Sequence, residues 1–289
     1  MGGGGAQGLS IVRLLIQRLP LLAVTLLSAR SELITVPSDG ADASSPAAVN
    51  LTVLPGAGGT DTAFNHTAVA DGYLSIVSNG APHFKAPPPA GGDPCGRRTR
   101  TSITALENDC HFATNGSPFN MATGDCDCGL SITDGQPYGS GGYGVGFGST
   151  AQGDWVVGTP DDDAVTNLNV TEFVVGFSWL VRDGVNVANA GDFVAPRTTV
   201  GLTAEGKLLS LTVDGCEPTT ACQFLLGKTE TQMADLLISV GAVHAVNLDG
   251  GGSSAVVVDG QVVDHPTDTD LWARKKERAV TTIVCIAQS

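Results

Sequence analysis

The order of apolar and polar positions along this chain predicts many short strands and few helices. Residues 242–248 form an apolar run of buried-strand type, Ala-Val-His-Ala-Val-Asn-Leu. Gly250, Gly251 and Gly252 follow, and strand character resumes over 255–258. Asp259-Gly260 then turns that strand into a hairpin with 261–263. Asp249 therefore stands at the carboxyl end of a buried strand, beside a loop almost bare of side chains. Such a loop can offer a ligand one carboxylate and a row of backbone N–H groups. The plainer alternative is a glycine-rich turn in which Asp249 caps its own backbone. No Gly-Lys-Ser/Thr follows and the GxGxxG spacing is absent, so neither nucleotide-binding loop pattern is met.

Residues 229–241 carry the clearest helical pattern. Thr229 and Gln232 have capping-box spacing, Met233, Leu236, Leu237 and Val240 recur at i, i+3, i+4 and i+7, and Gly241 takes the place just past the end. A second, short helix is expected at 102–108. Strands are expected at 50–54, 72–78, 111–116, 154–158, 194–202, 207–213 and 280–286. Residues 173–182 read as one strand running into an Asp183-Gly184 hairpin, and the glycine-rich 139–148 as a loop able to close over a pocket. The expected class is α+β, a single domain over 49–289 with a mixed, strand-rich sheet and two or three helices.

Charge changes the list of partners. A net charge of −14 argues against nucleic acid and anionic membrane, so an anionic substrate needs local arginines. At the N-terminus Arg13 and Arg18 precede an apolar stretch at 19–29, long enough for a signal-peptide core and short for a membrane span, with a retained signal anchor as the alternative. A signal peptide over 1–30 and a flexible leader over 31–48 are expected, with no later membrane span. That places the protein in the secretory-pathway lumen (Golgi or lysosome) or outside the cell. Sequons at Asn50, Asn65 and Asn169 agree, and a fourth at Asn115 is followed by Pro118. Of the seven cysteines, Cys126 and Cys128 lack the partner pair of a zinc site, so disulfides fit better.

Four stretches together resemble the phosphodiester glycosidase family: Asn115-Gly116 with Phe119, 195–201 around Arg197, 247–253 (Asn-Leu-Asp-Gly-Gly-Gly-Ser), and Arg278-Ala-Val280. The family's usual Asn-Gly-Gly-Phe-Phe-like turn stands here as Asn-Gly-Ser-Pro-Phe. The resemblance implies hydrolysis of a sugar-1-phosphate diester, releasing N-acetylglucosamine or a related sugar and exposing a phosphomonoester of the mannose 6-phosphate type. It also implies the site. Asp249 would be nucleophile or general base. Arg197 would present its planar fork to the phosphate, or else be a surface or salt-bridge arginine. Asn115 would bind sugar or phosphate through its amide, or else cap a turn. Arg278 would be a second phosphate ligand or the ion-pair partner of Asp249. Gly116, Thr198, Asn247, Gly250, Gly251, Gly252 and Ser253 would line the substrate, the 250–253 amides acting as an anion nest.

Asp125 and Asp134 are candidates for a second acid, or simply turn residues, and Glu277 reads as solvated. No cofactor or metal is called for, although an acidic loop at 161–163 could take calcium weakly. The expected partner is a glycan or sugar phosphodiester, and an oligomer is compatible with the sequence. Two other readings keep the same pocket: a phosphodiester glycosidase acting on a cell-wall or secreted polysaccharide, and a non-catalytic carbohydrate-binding protein. Among the cysteines, Cys95 with Cys126 would close a loop around the Asn115 turn. Cys110 with Cys285 would tie the chain's end to the same region, as the resemblance also suggests. Cys216 with Cys222 would close a local loop, leaving Cys128 free.

Overall fold

Every strand pair between the named strands of the computed structural model runs antiparallel, and the strands fall into three main sheets rather than one mixed sheet. The structure describes residues 51–58, 61–91, 93, 95–126, 129–139, 144–159, 162–191, 193–215, 227–269 and 275–287. The expected signal peptide and leader, the Asn50 sequon, Cys128 and the Cys216–Cys222 pair lie outside those residues, as do residue 161 and the side chains at 162 and 163. The chain divides into Met1–Arg30 and Ser31–Ser289, and all described residues belong to the second unit.

The seven-stranded sheet runs, in spatial order, Val185–Asn186, Ser178–Arg182, Ala242–Asn247, Arg197–Thr203, Leu208–Val213, Gly72–Ser78 and Ala63–Val69. The five-stranded sheet runs Gln261–Val262, Val256–Val258, Cys110–Asn115, Ile283–Ala287 and Phe84–Lys85. The six-stranded sheet runs Leu51–Leu54, Trp155–Gly158, Val145–Thr150, Val170–Gly176, Ser131–Thr133 and Gln136–Tyr138. Their inner faces share one core, in which Phe84, Phe112, Phe147, Trp155, Val200, Leu202, Val246 and Ile286 meet. Trp155 Nε1 donates to the Gly206 carbonyl at 2.9 Å, which satisfies its polar edge inside that core.

Period-two alternation sends the other residues of the same strands outward, where each sheet is covered by one helix. Glu230–Ser239 packs Met233, Ala234 and Leu237 against Leu209, Leu211 and Ala245. Burying Met233 and Leu237 contributes about 1.5–3 kcal/mol each. Asp162–Asn167 covers the six-stranded sheet through Ala164, and Thr101–Glu107 covers the five-stranded sheet through Ala105. The capping box at Thr229 and Gln232 is present, and Gly241 has φ +97°. The inner face is rotated from the expected one: Leu236 and Val240 are exposed, and Glu230 is buried in their stead.

Two further expectations are corrected. Residues 170–182 are two strands in different sheets, with the chain stepping across at Phe177, whose N–H donates to the Asn247 carbonyl at 2.7 Å. Gly176 permits the step, because a Cβ there would strike that carbonyl. Residues 145–150 are a buried strand rather than part of a loop, and Gly146 and Gly148 leave room for the Phe173 ring. Disulfides join Cys95 to Cys126 and Cys110 to Cys285, with Cα–Cα distances of 4.9 and 5.5 Å. Among the described residues no helix is long and apolar enough to cross a membrane.

Candidate active site

The ends of strands from two sheets come together at Asn115. It is the last residue of Cys110–Asn115 and is fully buried. Its Oδ1 accepts from Thr198 Oγ1 at 2.8 Å and from the Ala255 N–H at 3.3 Å, and its Nδ2 donates to the Asp249 carbonyl at 2.7 Å. One side chain thus ties the seven-stranded sheet, the five-stranded sheet and the glycine loop to each other. The amide expected to face a sugar is spent inside the chain, and its sequon is closed in the fold. Asn115→Ala would leave three polar groups without this partner, at about 1–3 kcal/mol each. A drop of several kcal/mol in stability is expected from denaturant midpoints, and a drop under about 1 kcal/mol would show that the amide is no clamp.

Asp249 sits at the rim of this junction, half-buried. Its N–H donates to the Gly116 carbonyl at 3.2 Å, and its Oδ1 accepts the Gly250 N–H at 2.9 Å. The loop that follows is anchored on the neighbouring segment, since the Gly251 N–H donates to the Pro196 carbonyl at 3.0 Å. The Ser253 N–H donates to the Gly250 carbonyl at 3.1 Å. The amides of Gly250, Gly251 and Ser253 are therefore engaged internally, which corrects the expected anion nest. Glycine is required here for close approach: a Cβ at Gly250 would lie 2.8 Å from the Pro196 carbonyl, and one at Gly252 would collide with the Arg278 guanidinium.

The two arginines differ. Arg197 is 7% exposed, and its Nη2 and Nε donate to the carbonyls of Phe193 and Lys228 at 2.7 and 3.3 Å. Its Nη1 lies 3.8 Å from Glu230 Oε1, which also accepts from Asn247 Nδ2 at 3.0 Å. Ser178 Oγ donates to Glu230 Oε2 at 3.0 Å. Arg197 is thus held as a buried pin beneath the loop. Arg278 lies against the open face of Gly252, its Nη1 3.4 Å from Ser253 Oγ and its Nε 3.6 Å from Asp268 Oδ2.

Gly116 donates its N–H to the Thr282 carbonyl at 3.0 Å, with no space for a Cβ beside Thr282. The unusual Ser117 is buried and links this turn to the six-stranded sheet. Its Oγ lies 3.0 Å from Ser131 Oγ and accepts the Val175 N–H at 3.0 Å.

With that geometry in place, the decisive comparison is the phosphodiester glycosidase family model, which matches residues 108–287. The chain belongs to the phosphodiester glycosidase family. N-acetylglucosamine-1-phosphodiester alpha-N-acetylglucosaminidase of Mus musculus is 31% identical over 250 residues, covering 77% of this chain and 46% of that protein. The Homo sapiens protein of the same name is 30% identical over 264 residues, covering 80% and 49%. The chain spans about half the length of these curated relatives. The zebrafish N-acetylglucosamine-1-phosphodiester alpha-N-acetylglucosaminidase catalytic domain, auto-inhibited by pro-peptide, shares the fold: TM-score 0.70, 24% identity, 83% of this chain and 88% of that one.

All four family stretches meet around Asn115 and the glycine loop, yet one acid that shapes the region, Glu230, went unnoticed in the sequence and another, Glu277, was misread. Glu230 anchors Asn247 and Arg197, as above. Glu277, expected to be solvated, is 9% exposed and accepts from Ser102 N and Oγ at 3.0 and 2.6 Å. Asp134 has the turn position foreseen as its plainer role, with φ +48° before Gly135, and Asp125 is exposed just past the turn at 121–123. No cluster of metal-ligating side chains occurs among the described residues.

Two buried carboxyls hold their protons unusually tightly. Burial pushes Asp264 up to about 7, with Asp214 and Glu277 adding repulsion, although its Oδ1 accepts the Val256 N–H at 2.8 Å. Burial likewise pushes Glu172 up to about 7, while it accepts from the Ala86 and Asp134 amides. Unfolded carboxyls titrate near 4, so between about pH 4 and 7 the folded chain binds more protons from these two groups. Their contribution to stability therefore falls as pH rises through that window. Melting curves of the wild type and Asp264→Asn should diverge with pH, the wild type losing ground from pH 5 to pH 7. Parallel curves would place the Asp264 carboxyl in an ordinary environment.

Proposed function

We propose that the chain hydrolyses a sugar-1-phosphate diester at the anomeric carbon, releasing the sugar and leaving a phosphomonoester on the second sugar or other alcohol. N-acetylglucosamine is the proposed released sugar, following the names of the curated relatives, and a mannose 6-phosphate-type group is the proposed exposed product. The observation that carries the reading is the convergence of Asn115, Thr198 and Arg278 on one loop that carries a half-buried aspartate.

In this reading Asp249 approaches the anomeric carbon as nucleophile or base. Arg278, on the bare face of Gly252, is the cation that meets the phosphate, whereas Asn115 and Arg197 hold the loop and Asn247 in position. Phosphate is already a good leaving group, so the strong acid of the two-carboxylate glycosidases is dispensable. Two disulfides belong to an oxidising compartment, which supports action in the secretory-pathway lumen or outside the cell.

The test is to incubate the full chain with N-acetylglucosamine-phospho-mannose and measure free sugar and phosphomonoester together. Equal release of both is expected. Binding without release, on this and other sugar phosphodiesters, would overturn the hydrolase in favour of a carbohydrate-binding protein.

A further inference from the structure

A carboxylate–imidazole pair stands beside the glycine loop, and the roles assigned above leave it unused. Asp214 follows the end of strand Leu208–Val213 and is 6% exposed. It receives two hydrogen bonds from one residue: Oδ1 accepts the His265 N–H at 3.1 Å, and Oδ2 lies 3.0 Å from His265 Nδ1. An ionised carboxylate only accepts, so in the neutral imidazole Nδ1 carries the proton and Nε2 the lone pair. The His265 side chain is 77% exposed. A surface imidazole tethered twice to a buried carboxylate has the orientation a general base needs.

Segment 264–268 is laced to the glycine loop at two points and to the strand that follows it at one. Asp264 Oδ1 accepts the Val256 N–H at 2.8 Å, Thr267 Oγ1 donates to the Gly251 carbonyl at 3.4 Å, and Asp268 meets Arg278, which reaches Ser253. From the other side, Val213 is the register partner of Arg197, and Pro196 accepts from Gly251. The pair therefore borders the loop that begins at Asp249. The charged groups around it are Asp214 in direct contact, Asp264 alongside, the Asp268–Arg278 pair, and Asp71, paired with Lys228, whose carbonyl receives the Asp214 N–H.

We propose that His265, oriented by Asp214, is a catalytic residue, the base that activates water; this rests on the phosphodiester glycosidase reading. Nε2 takes a proton from the water as the water oxygen bonds to the anomeric carbon. The bond from that carbon to its leaving oxygen breaks with its electron pair. The leaving oxygen is the phosphate's, or that of Asp249 if Asp249 has first displaced the phosphate. The imidazolium then returns its proton to solvent. Asp214 touches no reacting atom and is a positioning residue.

The probe is the methyl ester of N-acetylglucosamine 1-phosphate, with His265→Ala, His265→Gln and Asp214→Asn compared against the wild type. His265→Ala should melt as the wild type does, lose roughly 10²- to 10⁴-fold in kcat with little change in KM, and lose the acid-side inflection of the pH profile. Imidazole in the buffer should restore part of its rate, whereas His265→Gln stays inactive. Asp214→Asn should show a smaller loss of kcat. A His265→Ala rate within about threefold of wild type, or a loss that imidazole does not relieve and that leaves the pH profile unchanged, overturns the proposal alone. A wild type that releases nothing from this ester or from the mannose diester overturns the hydrolase reading itself.

Discussion

Asp249→Asn is expected to abolish turnover while leaving the fold in place. The isosteric amide retains an Oδ1 to accept the Gly250 N–H, and the backbone bond to Gly116 does not depend on the side chain. The charge is what disappears, and with it the capacity to attack the anomeric carbon or take a proton. A loss of at least about 10³-fold in kcat corresponds to roughly 4 kcal/mol of barrier. Circular dichroism and melting should match the parent. Activity within about tenfold of wild type would remove Asp249 from the chemistry and leave it a turn residue.

The largest effect on stability is expected from breaking Cys110–Cys285. This bridge joins adjacent strands of the five-stranded sheet across 175 residues of sequence. The chain-entropy model gives about 5 kcal/mol for so long a loop, against about 4 for the 31-residue separation of Cys95–Cys126. Domains are commonly stable by about 5–15 kcal/mol, so the first loss is comparable with the whole. A Cys110→Ala, Cys285→Ala double variant should be secreted poorly and unfold at markedly lower denaturant, and the equivalent pair at Cys95 and Cys126 should suffer less. Equal midpoints for parent and Cys110/Cys285 variant would show that the bridge does not constrain the unfolded chain.

The local elements were legible where a short-range rule decides them. Thr229 with Gln232 declared a helix start, Asp183-Gly184 and Asp259-Gly260 declared hairpins, and the apolar run at 242–248 declared a buried strand. What escaped depends on partners distant in sequence. Residues 173–182 read as one strand because nothing local records that Gly176 must pass the Asn247 carbonyl into another sheet. The glycines at 146 and 148 looked like a loop because the ring they accommodate, Phe173, lies 25 or more residues away. The site divides in the same way. The residues of the glycine loop could be listed from the sequence, but not which of them are spent internally. Arg197 and Asn115 are chemically suited to bind a phosphate, and the structure commits both to carbonyls, hydroxyls and amides of the chain. Glu277 and Asp214 have ordinary neighbours in sequence, and their burial arises only when sheets and loops close over them.

The side-chain bonds of Asn115 have a consequence for the order in which the protein matures. Its partners Thr198 and Ala255 lie 83 and 140 residues along the chain, and Asp249 lies 134. Contacts between such distant positions form slowly, because each must close a long loop before it gains anything in return. The junction carrying Asp249 is therefore expected to form late, after the local hairpins and the 230–239 helix. A nascent chain emerging from synthesis would carry every residue of the site and remain inert, gaining activity only when the segment from Thr198 to Ala255 closes onto Asn115.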